Sequence, residues 1–279
     1  MPELPEVETI ARALREGGRG GVAIVGRQIA TVRVLWPRTL AEPAMPEFEA
    51  RLPGQQVRSI GRRGKYLVIE LSSDYLLIHL RMSGDLRIEM AGDGNDADLQ
   101  PHDRLVIGFT DGLQMAFNDP RKFGRVWLAA HPDQVVGSLG PEPLDLAWTA
   151  DAFYARLMRF SRQIKPLLLD QTFLAGLGNI YTDEALHQAG IHPLRSSNTL
   201  TYEQAQALWA AIRSVLQEGI RRNGASFDWV YRGGDFQNTF QVYQQNGNPC
   251  PICGAIIIKT TVGQRGTHYC PVCQPDFLV

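Results

Sequence analysis

Residues 55–90 read QQVRSIGRRGKYLVIELSSDYLLIHLRMSGDLRIEM. Apolar and polar residues alternate in short runs, and Gly64, Ser72–Asp74 and Ser83–Gly84 part the runs. That pattern predicts neighbouring antiparallel strands joined by tight turns, each with one face turned to a core. Working outward, QIATVRVLW (28–36), RLVIGFTDGLQMAFND (104–119) and GRVWLAA (124–130) carry the same signature. Evenly spaced short strands of this kind predict an antiparallel sandwich or barrel. Between them, MAGDGNDADLQPHD (90–103) is polar and reads as a surface loop.

A helix precedes the strands. In MPELPEVETI (1–10), continued to residue 14, Leu4, Val7, Ile10, Ala11 and Leu14 recur at steps of three and four. Pro5 near the first helical position and Glu6 and Glu8 in the first turn suit the positive end of the helix dipole. Taken alone, the opening is an ordinary helix N-terminus.

After the strands, HPDQVVGSLGPEPLDLAW (131–148) breaks the alternation with Pro and Gly, and the period then becomes helical. TADAFYARLMRF (149–160), IKPLLLDQ (164–171), NIYTDEALHQAG (179–190) and TYEQAQALWAAIRSVLQEGIRRNG (201–224) are the predicted helices, with Thr201 as cap of the longest. The segment containing Gly176 and Gly178 runs directly into a helix, an arrangement that suits either an anion site or a plain left-handed turn.

All the cysteines lie near the C-terminal end, as CPIC (250–253) and CPVC (270–273). Two C-x2-C pairs flanking a strand–turn–strand pattern are the spacing of a structural zinc site. Cys250, Cys253, Cys270 and Cys273 fill all the coordination positions, so the ion holds the fold and leaves no vacancy for chemistry. Arg265, near the turn between the strands, is positioned to offer a guanidinium to a phosphate.

Lys and Arg number 28 against 29 Asp and Glu, a balance that argues against a uniformly basic nucleic-acid binder. The basic residues are clustered, however, at 62–65, 121–125, 156–165 and 221–222, which leaves room for one basic face. No apolar run reaches the length of a membrane span, and the N-terminus lacks the basic and apolar segments of a secretory signal. A cytoplasmic protein with no membrane partner is expected.

In this order, PELPEVET (2–9), GRRGKYL (61–67), HLRMSGDL (79–86), DPRKFGRVW (119–127), LGPEPL (139–144), GLGNIYTDEAL with AGIHP (176–193), and CPICG with GQRGTHYCPVCQ (250–274) resemble the formamidopyrimidine-DNA glycosylase / endonuclease VIII family. The resemblance covers essentially the whole chain, and PELPE favours its formamidopyrimidine branch.

The resemblance implies an α+β fold in defined parts. A catalytic β-sandwich domain with its opening helix spans 1–135, and a linker spans 136–149. A helix–two-turn–helix DNA-binding domain follows at 150–224, then a lesion-side loop and connector at 225–245, and a four-cysteine zinc finger at 246–279. It implies that Met1 is removed and that Pro2 becomes a secondary-amine nucleophile, whose reference pKa near about 8 leaves more free base at neutral pH than lysine has. Glu3 is then the general acid/base, Glu6 orders the site, and Lys65 bridges phosphate and damaged nucleotide. Met82, Arg121 and Phe123 fill the gap left by an extruded nucleotide. Without the resemblance, Met82 and Phe123 would be read as core. Lys165, Asn179 and Arg265 contact phosphates.

The implied partner is damaged double-stranded DNA, with one zinc ion, no nucleotide cofactor and a monomeric chain. The implied reaction is base release followed by β,δ-elimination. Two departures stand out. Lys122 takes the place of a second arginine, and GASFDWVYRGGDFQNTFQVYQQNG (224–247) is shorter and more aromatic than the capping loop of the family's best-known branch. In it, Asp228 or Tyr231 reads the flipped base, or Phe227, Trp229, Tyr231 and Phe236 pack between domains; the short loop keeps a preference for oxidised pyrimidines open.

Overall fold

A computed structural model describes residues 1–91, 99–226 and 233–276. Asp228, Tyr231, Phe227 and Trp229 lie outside the described residues. The chain forms two compact units, Met1–Ser138 with Ser226–Gly234, and Leu139–Ala225 with Asp235–Val279.

In the first unit, helix α1 (Leu4–Glu16) precedes strands β1 (Ile29–Val34) and β2 (Leu40–Glu42), helix α2 (Met45–Arg51), then β3 (Val57–Arg63), β4 (Tyr66–Leu71), β5 (Tyr75–His79), β6 (Asp85–Met90), β7 (Asp103–Phe109), β8 (Leu113–Asn118) and β9 (Arg125–Ala129). Two sheets form, in the orders β1-β7-β8-β6 and β2-β9-β5-β4-β3. Alternation decides which face is inside: in β4, Leu67, Ile69 and Leu71 are buried and the residues between them are half-buried. They share one core with Ile107, Met115 and Phe117 of the other sheet, and with Val7, Ile10 and Leu14 of α1. Burial of each such α1 side chain contributes about 1.5–3 kcal/mol, so α1 is held by its apolar stripe as much as by its own hydrogen bonds. This is the expected β-sandwich. Strand β2, absent from the sequence reading, adds to the edge of its sheet parallel to β9.

The second unit contains α4 (Ala150–Leu157), α5 (Ile164–Leu169), α6 (Asn179–Gln188) and α7 (Tyr202–Arg221), after the single-turn helix α3 (Asp133–Val136) that closes the first unit. Thr201 caps α7 with a reciprocal box, its hydroxyl accepting from the Gln204 N–H while Gln204 Oε1 accepts from the Thr201 N–H. Strands β10 (Ile258–Val262) and β11 (Arg265–Tyr269) form the C-terminal hairpin. Gly263 and Gln264 both have positive φ, +54° and +61°, as a two-residue turn of the strand-matching hand requires. Phe236 is buried and stacks on Tyr181 at 4.9 Å, inside the second unit.

Candidate active site and zinc centre

The first turn of α1 is built around its two acids. Glu3 is the extended cap residue; its side chain accepts from the Glu6 N–H, and Glu6 Oε2 accepts from the Glu3 N–H at 2.7 Å. Both side chains are buried, at 2% exposure. Pro5, having no N–H to lose, sits in the first turn at no hydrogen-bond cost. The box fixes the backbone at the residue that follows Pro2, which is itself buried.

Glu8, further along α1, accepts from Arg62 Nε at 3.0 Å and so ties the helix to the end of β3. Beyond it, Gly64 (φ +55°) and Lys65 make the turn into β4, and Lys65 is buried there. Tyr66 pairs in register with His79, whose ring it meets edge-on at 4.6 Å. Burial, then the charges of Arg81 and Lys65, push His79 down to about 3, so the imidazole is neutral. Its Nδ1 accepts from the Arg81 N–H at 3.0 Å, which leaves the proton on Nε2. His79 thus presents a neutral N–H donor close to a lysine, a role the sequence reading missed.

Met82, Arg121 and Phe123 sit on two turns sewn together by one buried carboxylate. Asp119, fully buried, accepts from the Ser83 hydroxyl, from the Gly124 N–H at 2.7 Å and from the Arg121 N–H at 3.2 Å. Glycine is required at both turns for close approach: a Cβ on Gly124 would lie 2.3 Å from the Phe117 ring, and one on Gly84 would lie 2.5 Å from the Leu80 carbonyl oxygen. Met82 and Phe123 are 41% and 50% exposed, so neither is a core residue. The Arg121 guanidinium lies over the Phe123 ring at 5.1 Å. Lys122, at φ +62°, turns its ammonium onto Trp36, 4.0 Å from the ring centre.

In the second unit Lys165 is fully buried, and its ammonium donates to Asp183 Oδ1 at 2.5 Å, Thr267 Oγ1 at 2.8 Å and the Gly266 carbonyl at 3.1 Å. Those contacts match the three donors an ammonium has, and through them Lys165 holds the hairpin. Asn179, the first residue of α6, donates to the same Gly266 carbonyl at 2.8 Å, and its Oδ1 is buried without a hydrogen-bond partner. Asp183 also accepts from the His268 N–H at 2.9 Å. This network fixes the strand that begins with Arg265, which is exposed.

The four cysteine thiols converge with their sulfur atoms within 4.8 Å of one another and form no disulfide. Sγ–Sγ separations of 3.4 Å (Cys253–Cys270) and 3.8 Å (Cys250–Cys273) match the edge of about 3.8 Å of a tetrahedron with zinc–sulfur bonds of about 2.3 Å. Burial pushes the Cys270 thiol up. Burial also raises Cys250, but the Cys253 and Ile252 backbones and the His187 side chain outweigh it and bring this thiol down to about 6. Four crowded thiolates need a divalent cation between them, and these residues fit a single structural zinc ion.

A helix-backed β-sandwich, a helical unit and a four-cysteine hairpin together define the class of two-unit DNA glycosylases, and comparison with known proteins makes the family specific. Residues 1–126 match the formamidopyrimidine-DNA glycosylase N-terminal domain, 139–229 the H2TH domain of the same enzymes, and 247–275 a zinc finger found in FPG and IleRS. Proteins named formamidopyrimidine-DNA glycosylase from Roseiflexus sp. (strain RS-1) and Pelotomaculum thermopropionicum are 44% and 43% identical over 98% of this chain and 100% and 99% of their own. The solved structure of wild-type Lactococcus lactis Fpg (MutM) with DNA containing N7-benzyl-Fapy-dG superposes with a TM-score of 0.88 at 38% identity, covering 99% of this chain and 100% of that one. MutM in complex with DNA containing carbocyclic 8-oxo-G gives the same score and identity. The chain belongs to the formamidopyrimidine-DNA glycosylase family.

Proposed function

We propose that this chain is a bifunctional DNA glycosylase and abasic-site lyase of base-excision repair that removes oxidised purines, 8-oxoguanine and formamidopyrimidines, from double-stranded DNA. The observation that carries the reading is the buried reciprocal pair of Glu3 and Glu6, which locks the backbone directly after Pro2. A merely structural helix start has no need of two buried carboxyl groups, whose desolvation is costly.

Removal of Met1 turns the Pro2 nitrogen from an amide into a secondary amine. That amine attacks C1′ of the extruded nucleotide, the glycosidic bond breaks, and the base leaves. Glu3 protonates the sugar ring oxygen as the ring opens, giving an iminium ion between Pro2 and C1′. The iminium acidifies the C2′ proton, whose loss expels the 3′ phosphate; a second elimination expels the 5′ phosphate and leaves a one-nucleotide gap. Glu6 holds Glu3 and the N-terminus in register. Lys65, with neutral His79 beside it, supplies donors to the phosphates flanking the lesion. Met82 and Phe123 enter the stack as apolar wedges and Arg121 faces the widowed base, offsetting an extrusion cost of about a few kcal/mol. Arg265 and the N-terminal end of α6 around Asn179 contact backbone phosphates, which sets register without reading sequence. The zinc ion fixes the hairpin. The enzyme would act as a monomer on DNA in the cytoplasm.

Incision of matched duplexes tests this. Carrying 8-oxoguanine opposite cytosine, the duplex is expected to be cut to ends bearing phosphates on both sides of the gap. Preferential cutting of a dihydrouracil duplex would overturn the purine assignment.

A further inference from the structure

Beyond the Asn179 contact, Asp183, Glu184 and His187 of helix α6 meet the zinc finger or the segment leading into it. Asp183 accepts from the β11 backbone at His268. Glu184 is buried and accepts the N–H groups of Gln241, Val242 and Tyr243 at 2.8–3.0 Å, on the approach to the first cysteine pair. One turn on, His187, 2% exposed, brings Nε2 to 3.4 Å from Sγ of Cys250, itself 3% exposed. The first two contacts hold backbone. The third reaches a metal ligand.

We propose that His187 is an outer-sphere positioning residue of the zinc site, donating an Nε2–H···Sγ hydrogen bond to the zinc-bound thiolate of Cys250. A thiolate has no proton to give, so once Cys250 coordinates a metal the proton of this contact resides on Nε2. Four thiolates around one dication carry a net charge of −2, and Cys250 and Cys270 are both buried. Buried charge of this kind is stabilised by directed donors. Cys270 receives one from the Cys273 N–H at 3.4 Å. His187 does the same for Cys250 from a different element, so that metal retention and the seating of α6 against the first cysteine pair are coupled. The inference rests on the four-cysteine zinc site.

Zinc affinity of the full chain, measured by chelator competition, and the sulfur-to-cobalt charge-transfer band of the cobalt(II)-loaded protein test it. In His187→Phe, zinc affinity is expected to fall about 10–100-fold. Its charge-transfer band is expected to move to lower energy, because the thiolate electrons lose a stabilising donor. His187→Gln, which keeps an N–H donor, should restore much of both. Unchanged affinity and an unchanged band in His187→Phe overturn the proposal. If His187→Phe fails to fold, the wild-type protein loaded with 113Cd decides: scalar coupling between the metal and the His187 Nε2–H proton is expected, and its absence refutes the bond. Wild-type protein that binds no zinc would overturn the metal site itself along with the proposal, and metal analysis separates that failure from the others.

Discussion

Asp119 sets the shape of the surface that carries Arg121 and Phe123, through acceptor bonds to Ser83, Arg121 and Gly124. Asp119→Ala takes the carboxylate from the Ser83 hydroxyl and the Gly124 N–H, while the Arg121 N–H keeps Ser83 Oγ at 3.2 Å; each group stranded in a buried place costs about 1–3 kcal/mol. Urea unfolding should show a loss of about 2–4 kcal/mol, and affinity for a lesion duplex should fall with it; a change within about 0.5 kcal/mol would show that the turns hold themselves. His79 gives a pH signature. Its folded-state pKa near 3 lies below the ordinary 6.5, so as pH falls through that window the unfolded chain takes up the proton first and stability drops. Stability from this residue is complete above about pH 6.5, and His79→Gln should flatten the acid limb of the stability–pH curve between about 6.5 and 3. An identical limb in both proteins would contradict a buried neutral imidazole. Neither residue was legible as a site from spacing. A single polar residue at the edge of an apolar strand reads as a turn flank, and the bond that gives Asp119 its meaning comes from Ser83, 36 residues earlier. The roles proposed for Pro2, Glu3 and Lys65 rest on motif resemblance, because a prolyl N-terminus looks like any helix start until its chemistry is considered.

Elements with a one-sided apolar stripe were the readable ones. The residues of α1 and α7 that recur at steps of three and four are those the structure buries, and Thr201 announced its cap. The reciprocal box at the start of α1 was not foreseen, since Glu is not among the usual cap residues. Helix α6 hid more. Asp183, Glu184 and His187 are all buried, so its charged letters do not mark a solvent face, and no periodicity argument separates a buried anchor from an exposed one. Lys165, given a phosphate contact by the resemblance, lies in a buried ion pair with Asp183. Asp183→Ala should destabilise by about 3–5 kcal/mol, because it strands the Lys165 charge inside the protein. Adding Lys165→Met should recover a large part of that loss. Thermal unfolding of the single and double variants decides: a double variant no more stable than Asp183→Ala would rule out the charge as the source of the cost.

At the scale of the whole molecule, a net charge of −1 and the expectation of DNA binding are reconciled by cations gathered at 62–65, 121–125, 156–165 and 221–222, to which the zinc hairpin adds the exposed Arg265. Arg265→Ala should weaken binding to lesion and undamaged duplexes alike and reduce the log–log salt slope by about 1. Loss confined to lesion DNA would instead make Arg265 a lesion reader. Whether the Pro2 nitrogen is the nucleophile is decided by borohydride trapping on a duplex carrying 8-oxoguanine opposite cytosine. Protein processed at Met1 is compared with protein bearing an uncleavable N-terminal extension, which keeps the Pro2 nitrogen an amide. A covalent protein–DNA adduct is expected with the processed chain and none with the extended one, at comparable duplex affinity. An adduct of equal yield from the extended chain would place the nucleophile elsewhere and contradict the mechanism.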